Sequence, residues 1–208
     1  LSVLVSVTAV LLALRYQSRT ICAFGLVGGY LPLFSYMGAY GLEGNAVYAA
    51  MVYLLLLNLF ILVISFRQRW GIINSISFLF NTPSMIALAF IADSPVIAMA
   101  YSLLNFIMYL GITLSYPLQH KAKLSWWDVV LLALNTVVSC SLLYALLDDA
   151  KLDAWTGLLA LLFCLVYFGL GRWVQRVMPQ EKQTMVLFYT ASLTFGVLII
   201  PFQFGVRW

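Results

Sequence analysis

Residues 47–66 read VYAAMVYLLLLNLFILVISF, a run of twenty positions whose clearly polar members are only Asn58 and Ser65. An α-helix rises about 1.5 Å per residue, so a run of this length spans a hydrocarbon core about 30 Å thick. Strands of a membrane barrel need only about 9–11 residues and alternate polar with apolar positions. This run does not alternate, and it therefore predicts a transmembrane helix.

The composition of the whole chain also indicates that most of it is surrounded by lipid. Of 208 residues, 64% are hydrophobic and 9% are charged, whereas a soluble domain has about 45–50% apolar and about 25% charged residues. These values exclude a water-soluble globule and a disordered chain. Cys22, Cys140 and Cys164 lie in apolar segments without a CxxC pair, so neither a disulfide framework nor a metal centre is predicted, and no cofactor is expected.

Eight apolar segments are long enough to be membrane helices, the first one apparently truncated. They are residues 1–14, 20–40, 46–66, 71–92, 95–118, 125–147, 154–172 and 184–204. The sequence therefore predicts an all-α, polytopic transmembrane helix bundle of about eight helices with short loops, forming one domain over residues 1–208. Because the chain begins inside an apolar run without an initiator Met, we expect a fragment of a longer multi-pass protein.

The charged residues between these segments sort by side. Nine of the eleven bases fall on one side and five of the seven acids on the other. The bases are Arg15, Arg19, Arg67, Arg69, Lys121, Lys123, Arg172, Arg176 and Lys182, and the acids are Glu43, Asp93, Asp148, Asp149 and Asp153. Positive loops mark the cytoplasmic face, so both ends of the chain are predicted to face outward. Small basic clusters between apolar runs are not a nucleic-acid surface, and no nucleic-acid partner is expected.

Several motifs resemble a known family. They are LRYQSR at residues 14–19, GLVGGYLPL at 25–33, FRQRW at 66–70 and IPFQFGVRW at 200–208. In these the chain resembles the bacterial polytopic membrane proteins grouped as domain of unknown function 2339. The resemblance implies a bacterial inner-membrane location and a longer parent, whose further transmembrane helices would be partners. It supplies no assigned reaction and no catalytic residue.

Two segments carry glycine and proline interruptions. Gly28, Gly29 and Pro32 lie in the segment 20–40, and Asn81 and Pro83 lie in the segment 71–92. At about 1.5 Å per residue, Pro32 lies about 20 Å from Arg19 and Pro83 about 21 Å from Arg69. Paired interruptions at one depth are how many transporters expose backbone polar groups to a substrate. Ordinary proline kinks, satisfied by neighbouring side chains, give the same pattern and are the more common reading.

Three further carboxamides lie at comparable depths: Asn58, Asn105 and Asn135. An unpaired amide in hydrocarbon costs several kcal/mol, so each one is expected to find a partner. Hydrogen bonds between helices account for these residues more readily than ligand contact does. Asn58 and Asn135 are nevertheless included, with the glycine and proline residues, in the predicted substrate path.

Asp, Glu, Lys, Arg and His are missing from the middle of every segment, which argues against a self-contained ion-coupled pump. The acidic stretch around Asp148 and Asp149 carries a weak Mg²⁺ signal and is more simply a solvated loop. The leading hypothesis is a transporter-like or lipid-handling domain in the lipid bilayer, acting on a small molecule or a lipid. The alternatives are a scaffold module without ligand chemistry and a membrane enzyme whose catalytic groups lie outside this chain. The sequence itself favours no enzyme.

Overall fold

A computed structural model of the chain describes Thr8, residues 18–68 and residues 70–204. In this part the protein has seven long helices, one turn of 3-10 helix at Asp153–Trp155, and no strand. The helices are α1 (Arg19–Tyr40), α2 (Asn45–Arg67), α3 (Gly71–Ile91), α4 (Pro95–Gln119), α5 (Trp126–Asp149), α6 (Thr156–Val177) and α7 (Lys182–Phe204). All seven are long and apolar enough to cross a membrane, which confirms the all-α polytopic bundle.

The predicted segments agree with these helices closely. The segment 1–14 lies outside the described residues except for Thr8. The largest difference is in α6, which continues to Val177 instead of ending at residue 172. Its last turns contain Arg172 and Arg176, and arginine is a good helix former whose long side chain reaches water from a helix end.

Polar side chains mark the beginnings of three helices. Ser18 Oγ accepts the backbone N–H of Ile21 at 3.4 Å, and Ser94 does the same for α4. At α5 the carboxylate of Asp128 accepts the backbone N–H of Ser125 at 2.8 Å. Asp128 is buried there, yet its charge closes the first turn of a helix, where negative groups are favoured.

The outward faces of the helices are as apolar as the inward ones. Phe24 is 75% exposed, and Leu79 and Leu193 are each 69% exposed. A helix that is hydrophobic all round belongs in a membrane or in a large core. In a bundle of this size, such outward faces are suited to lipid.

Helix α4 is shared by two hydrophobic clusters. Tyr101 and Tyr109 pack with α1, α2 and α3 in the first cluster. Phe106 and Leu110, on another face of α4, pack with α5, α6 and α7 in the second. The bundle thus has two groups of helices that are joined along α4 and also along α5, whose Leu142 and Leu146 pack in the first cluster.

Short connections place the charged loops at opposite ends of the bundle. Connections of a few residues cannot cross the length of a helix, so successive helices are antiparallel. Lys123, after α4, lies 3.9 Å from the carboxylate of Glu181, after α6, so these two loops share one end. We call it the basic end, and the end formed by the loops after α1, α3 and α5 the acidic end.

Tryptophans lie close to both ends. Trp126, Trp127 and Trp173 are exposed at the basic end and Trp155 at the acidic end, as expected of rings that prefer the headgroup region. Trp70 differs, because it is only 5% exposed and packs in the first cluster. It immediately precedes α3, at the basic end of the bundle.

The loop between α1 and α2 requires glycine. Gly44 has φ 52° and ψ −127°, a region that L side chains rarely enter. We expect Gly44→Ala to lower the free energy of unfolding by about 1–3 kcal/mol. Gly38→Ala is the control, because an added Cβ meets nothing within 4 Å in the helical part of α1. Denaturant titration in detergent micelles measures both, and equal stability of the two variants would contradict the strain at Gly44.

Candidate functional site

Three asparagines meet in the middle of the first group of helices. The two Nδ2 hydrogens of Asn58 on α2 are donated to Asn81 Oδ1 on α3 at 3.0 Å and to Asn105 Oδ1 on α4 at 2.9 Å. Asn81 Nδ2 donates to Asn105 Oδ1 at 3.3 Å, which closes the triangle. All three side chains are at most 1% exposed. We call these residues the asparagine triad.

Hydroxyl groups extend the triad to α1. Tyr109 donates to Asn58 Oδ1 at 3.4 Å and lies 2.7 Å from Ser77 Oγ, which in turn lies 3.5 Å from the hydroxyl of Tyr30 on α1. Asn105 Nδ2 also donates to the carbonyl of Tyr101 at 3.0 Å. The network therefore connects α1, α2, α3 and α4. Its internal pairing fits the packing role expected for asparagines in hydrocarbon.

Tyr101 differs from the other tyrosines of this region. It is 3% exposed, and its hydroxyl is the one buried side-chain nitrogen or oxygen without a hydrogen-bond partner among the residues that the structure describes. An unpaired buried hydroxyl lowers stability, which makes Tyr101 a useful comparison with Tyr109.

Near the proline of α1, a backbone carbonyl accepts a hydrogen bond from a side chain of another helix. Pro32 removes one backbone donor from α1, and the hydroxyl of Tyr53 on α2 donates to the carbonyl of Gly29 at 2.5 Å, three residues before Pro32. Pro32 and Tyr53 also line a cavity of about 300 Å³ between α1 and α2. Gly28 faces outward, and an added Cβ there meets nothing within 4 Å.

The proline of α3 follows a similar pattern, on the outer side of its helix. Pro83 is exposed, and Ser84 Oγ donates to the carbonyl of Phe80, again three residues before the proline. Between α1 and α3, the ring of Tyr30 stacks on Phe80 with 5.6 Å between centroids, and Phe34 lies 6.1 Å from Phe80. Aromatic rings thus lie where α1 and α3 meet.

The predicted site residues are brought together only in part. Asn58 and Asn81 are joined by a hydrogen bond, and Gly29 and Pro32 lie on the same stretch of α1. Asn135 lies elsewhere, because its Nδ2 donates to the carbonyl of Phe106 at 3.1 Å and so connects α5 to α4. The spacing along the sequence predicted a similar depth for these residues but not the face of the helix on which each lies.

A groove at the basic end has no counterpart in the sequence-based site. It has a volume of about 430 Å³ between α2, α4 and α6. Its lining includes Phe66, Ile107, Gly111, Leu114, Leu170 and Trp173, and we call it the basic-end groove. Gly111 brings α4 close to α2, because an added Cβ would lie 3.1 Å from a methyl carbon of Leu62. Gly111 is the one sequence signal that marks this approach.

Basic residues adjoin the lining of the basic-end groove in the sequence. Arg67 follows Phe66 directly, Arg172 precedes Trp173 directly, and both side chains are exposed. Lys121 is two residues beyond Gln119, which also lines the groove. Of the described acids at this end, Glu181 is paired with Lys123 and Asp128 accepts the backbone N–H of Ser125. An apolar groove with a cationic opening has the distribution of polarity that an anionic amphiphile needs.

Metal-binding side chains do not gather in the described residues, where no three His, Cys, Asp or Glu lie within reach of one ion. Asp148 and Asp149 are exposed at the end of α5. Cys22, Cys140 and Cys164 are free thiols.

Comparisons with known proteins give one match. The family model described as predicted membrane protein (DUF2339) matches residues 1–208. No curated protein and no solved structure matches the chain.

Tyr109 and Tyr101 allow a test of the hydrogen-bond network. Tyr109→Phe removes the hydroxyl between Ser77 and Asn58, and we expect the free energy of unfolding to fall by about 1 kcal/mol. Tyr101→Phe removes a hydroxyl without a partner, and we expect stability to rise by a similar amount. Thermal unfolding of both variants in the same detergent provides the measurement. A loss of equal size in the two would contradict the difference in their bonding.

Proposed function

The chain belongs to the predicted membrane protein family DUF2339, and from that premise we propose that it is a lipid-handling domain whose basic-end groove holds an acyl chain of an anionic lipid. The observation that carries this proposal is the combination of an apolar groove within the membrane span and cationic side chains at its opening. An acyl chain would pack against the apolar lining. A headgroup phosphate would pair with the positive charges of Arg67 and Arg172.

The volume of the basic-end groove favours a chain over a protein helix. A helix is about 10 Å across, so about one of its turns would fill 430 Å³. The same volume lies within the range of about 300–1,000 Å³ that small-molecule pockets have. A lipid chain is thin and flexible enough to follow such a space between three helices.

A second candidate function is passage of a small solute beside α1, as the paired prolines suggest. The cavity that Pro32 and Tyr53 line favours it, because it is open and lies next to the Gly29 carbonyl. Gly28, Pro83 and Asn135 would then belong to a path that opens in another arrangement of the helices. The aromatic rings between α1 and α3 make this the weaker candidate.

The basic residues at the basic end also predict the orientation of the protein in the membrane. We propose that the protein lies in a bacterial inner membrane with its basic end in the cytoplasm, where positive loops are retained. Anionic lipids give the cytoplasmic leaflet a negative surface potential, so this orientation places the basic-end groove against its proposed ligand.

Labelling of single cysteines tests the orientation. In a variant without Cys22, Cys140 and Cys164, we expect Asp149→Cys to react with a membrane-impermeant maleimide on intact spheroplasts. Lys123→Cys should react only after permeabilisation. Reaction of both residues from the same side would contradict both the antiparallel bundle and the orientation.

The basic-end groove is tested by filling it. Ile107 lines the groove and is 53% exposed, so Ile107→Trp adds bulk there without disturbing a buried position. We expect labelling by a phosphatidylglycerol with a photoactivatable acyl chain to fall roughly tenfold in the peptides around residues 107–119, a change of about 1.4 kcal/mol. The matched control is Leu165→Trp, which alters a 60% exposed leucine on α6. Unchanged labelling in Ile107→Trp would overturn the proposal.

A further inference from the structure

A second groove lies at the acidic end of the bundle. Like the basic-end groove, it is lined by residues of α4 and α6. It has a volume of about 520 Å³, and its lining includes Val96 and Met99 of α4 and Leu158 of α6. Leu147, Leu152 and Trp155 close it toward the loop after α5. We call it the acidic-end groove.

The two grooves are separate spaces. Between them, Phe106 of α4 and Phe163 of α6 place their ring centroids 4.7 Å apart, and both residues are 0% exposed. Along α4, the groove residue Met99 precedes this pair and the groove residue Ile107 follows it, and the two are about 12 Å apart at 1.5 Å per residue. Each groove therefore opens in a different half of the membrane.

The charges at the acidic-end groove are opposite to those at the basic-end groove. Asp148 follows the lining residue Leu147, and Asp93 lies three residues before Val96. Asp149 adds a third carboxylate, and Lys151 is the one cation among the described residues of this end. All three aspartates are exposed, so they can meet a ligand headgroup at the membrane surface.

We infer that the acidic-end groove is a second acyl-chain site, selective for a lipid with an ammonium headgroup that donates hydrogen bonds. The apolar lining takes the chain, and the aspartate carboxylates accept from the ammonium group. A trimethylated ammonium has the charge but no hydrogen to donate, so it binds less well. An anionic headgroup is repelled. This site extends the proposed lipid handling to the opposite leaflet, but its lining and charges are independent of the basic-end groove.

The test uses the full chain in nanodiscs with photoactivatable phosphatidylethanolamine, phosphatidylcholine or phosphatidylglycerol. We expect phosphatidylethanolamine to label the peptides around residues 152–162 most strongly. Leu158→Trp, at a position 51% exposed, should reduce this labelling roughly tenfold, a change of about 1.4 kcal/mol. Val96→Trp, at a position 70% exposed, is a second variant that fills the same groove from α4.

Ile107→Trp is the crossed control. If it lowers only phosphatidylglycerol labelling at the basic end while Leu158→Trp lowers only phosphatidylethanolamine labelling at the acidic end, both sites are supported. If Ile107→Trp acts and neither acidic-end variant does, the second site is overturned and the proposed function stands. The reverse result overturns the proposed function alone.

Headgroup selectivity has its own variant. Asp148→Asn combined with Asp149→Asn keeps the shape of the loop and removes two charges, so phosphatidylethanolamine should lose its advantage over phosphatidylcholine. Retention of the advantage would overturn the assignment of the ammonium headgroup. Melting temperatures of all variants, measured in the same detergent, show whether each one is folded.

Discussion

The structure depends on one constraint, which is that hydrocarbon offers no hydrogen bonds to a polar group. The helices satisfy their own backbones, and the asparagine triad satisfies its side chains by bonding across α2, α3 and α4. In water such bonds would compete with solvent at every stage of folding. In lipid the apolar faces of helices have little preference for one another, so a few polar contacts and close packing select the arrangement. The triad thus fixes the depth at which these three helices align.

The same constraint applies near the two prolines, where the carbonyl that loses its N–H donor lies four residues before each proline, at Gly28 and Leu79. The carbonyl three residues before each proline accepts an additional hydroxyl, from Tyr53 at Gly29 and from Ser84 at Phe80. The two donors differ in consequence. Ser84 acts within its own helix, whereas Tyr53 joins α2 to α1 and so makes the stretch of α1 before Pro32 part of the packing between helices. Similar depth of two prolines is therefore compatible with different structural roles.

Sequence reasoning went as far as the physics of single helices allows. Length and hydropathy located all seven described helices, and the spacing from the basic residues placed Asn58 and Asn81 at depths where they meet. The face of each helix was not predictable, because periodicity reveals an inward face only when the outward face is polar. Here both faces are apolar. For this reason the predicted site grouped Asn135 with residues of the first group of helices, although its side chain bonds to the carbonyl of Phe106. The grooves lie where three helices diverge, and Gly111 is the one residue in the sequence that indicates them.

Occupancy by lipid is not what distinguishes the two grooves from the rest of the surface. Both grooves are open to the outside of the bundle and are lined by apolar side chains, so in a bilayer acyl chains fill them without any specific contact. The apolar lining accepts any acyl chain equally. Selectivity and residence time must therefore come from the openings, where Arg67 and Arg172 at one end and Asp148 and Asp149 at the other present opposite charges. The few charged side chains at the two ends thus decide which lipids remain bound, although they lie outside the apolar volume that holds the chains.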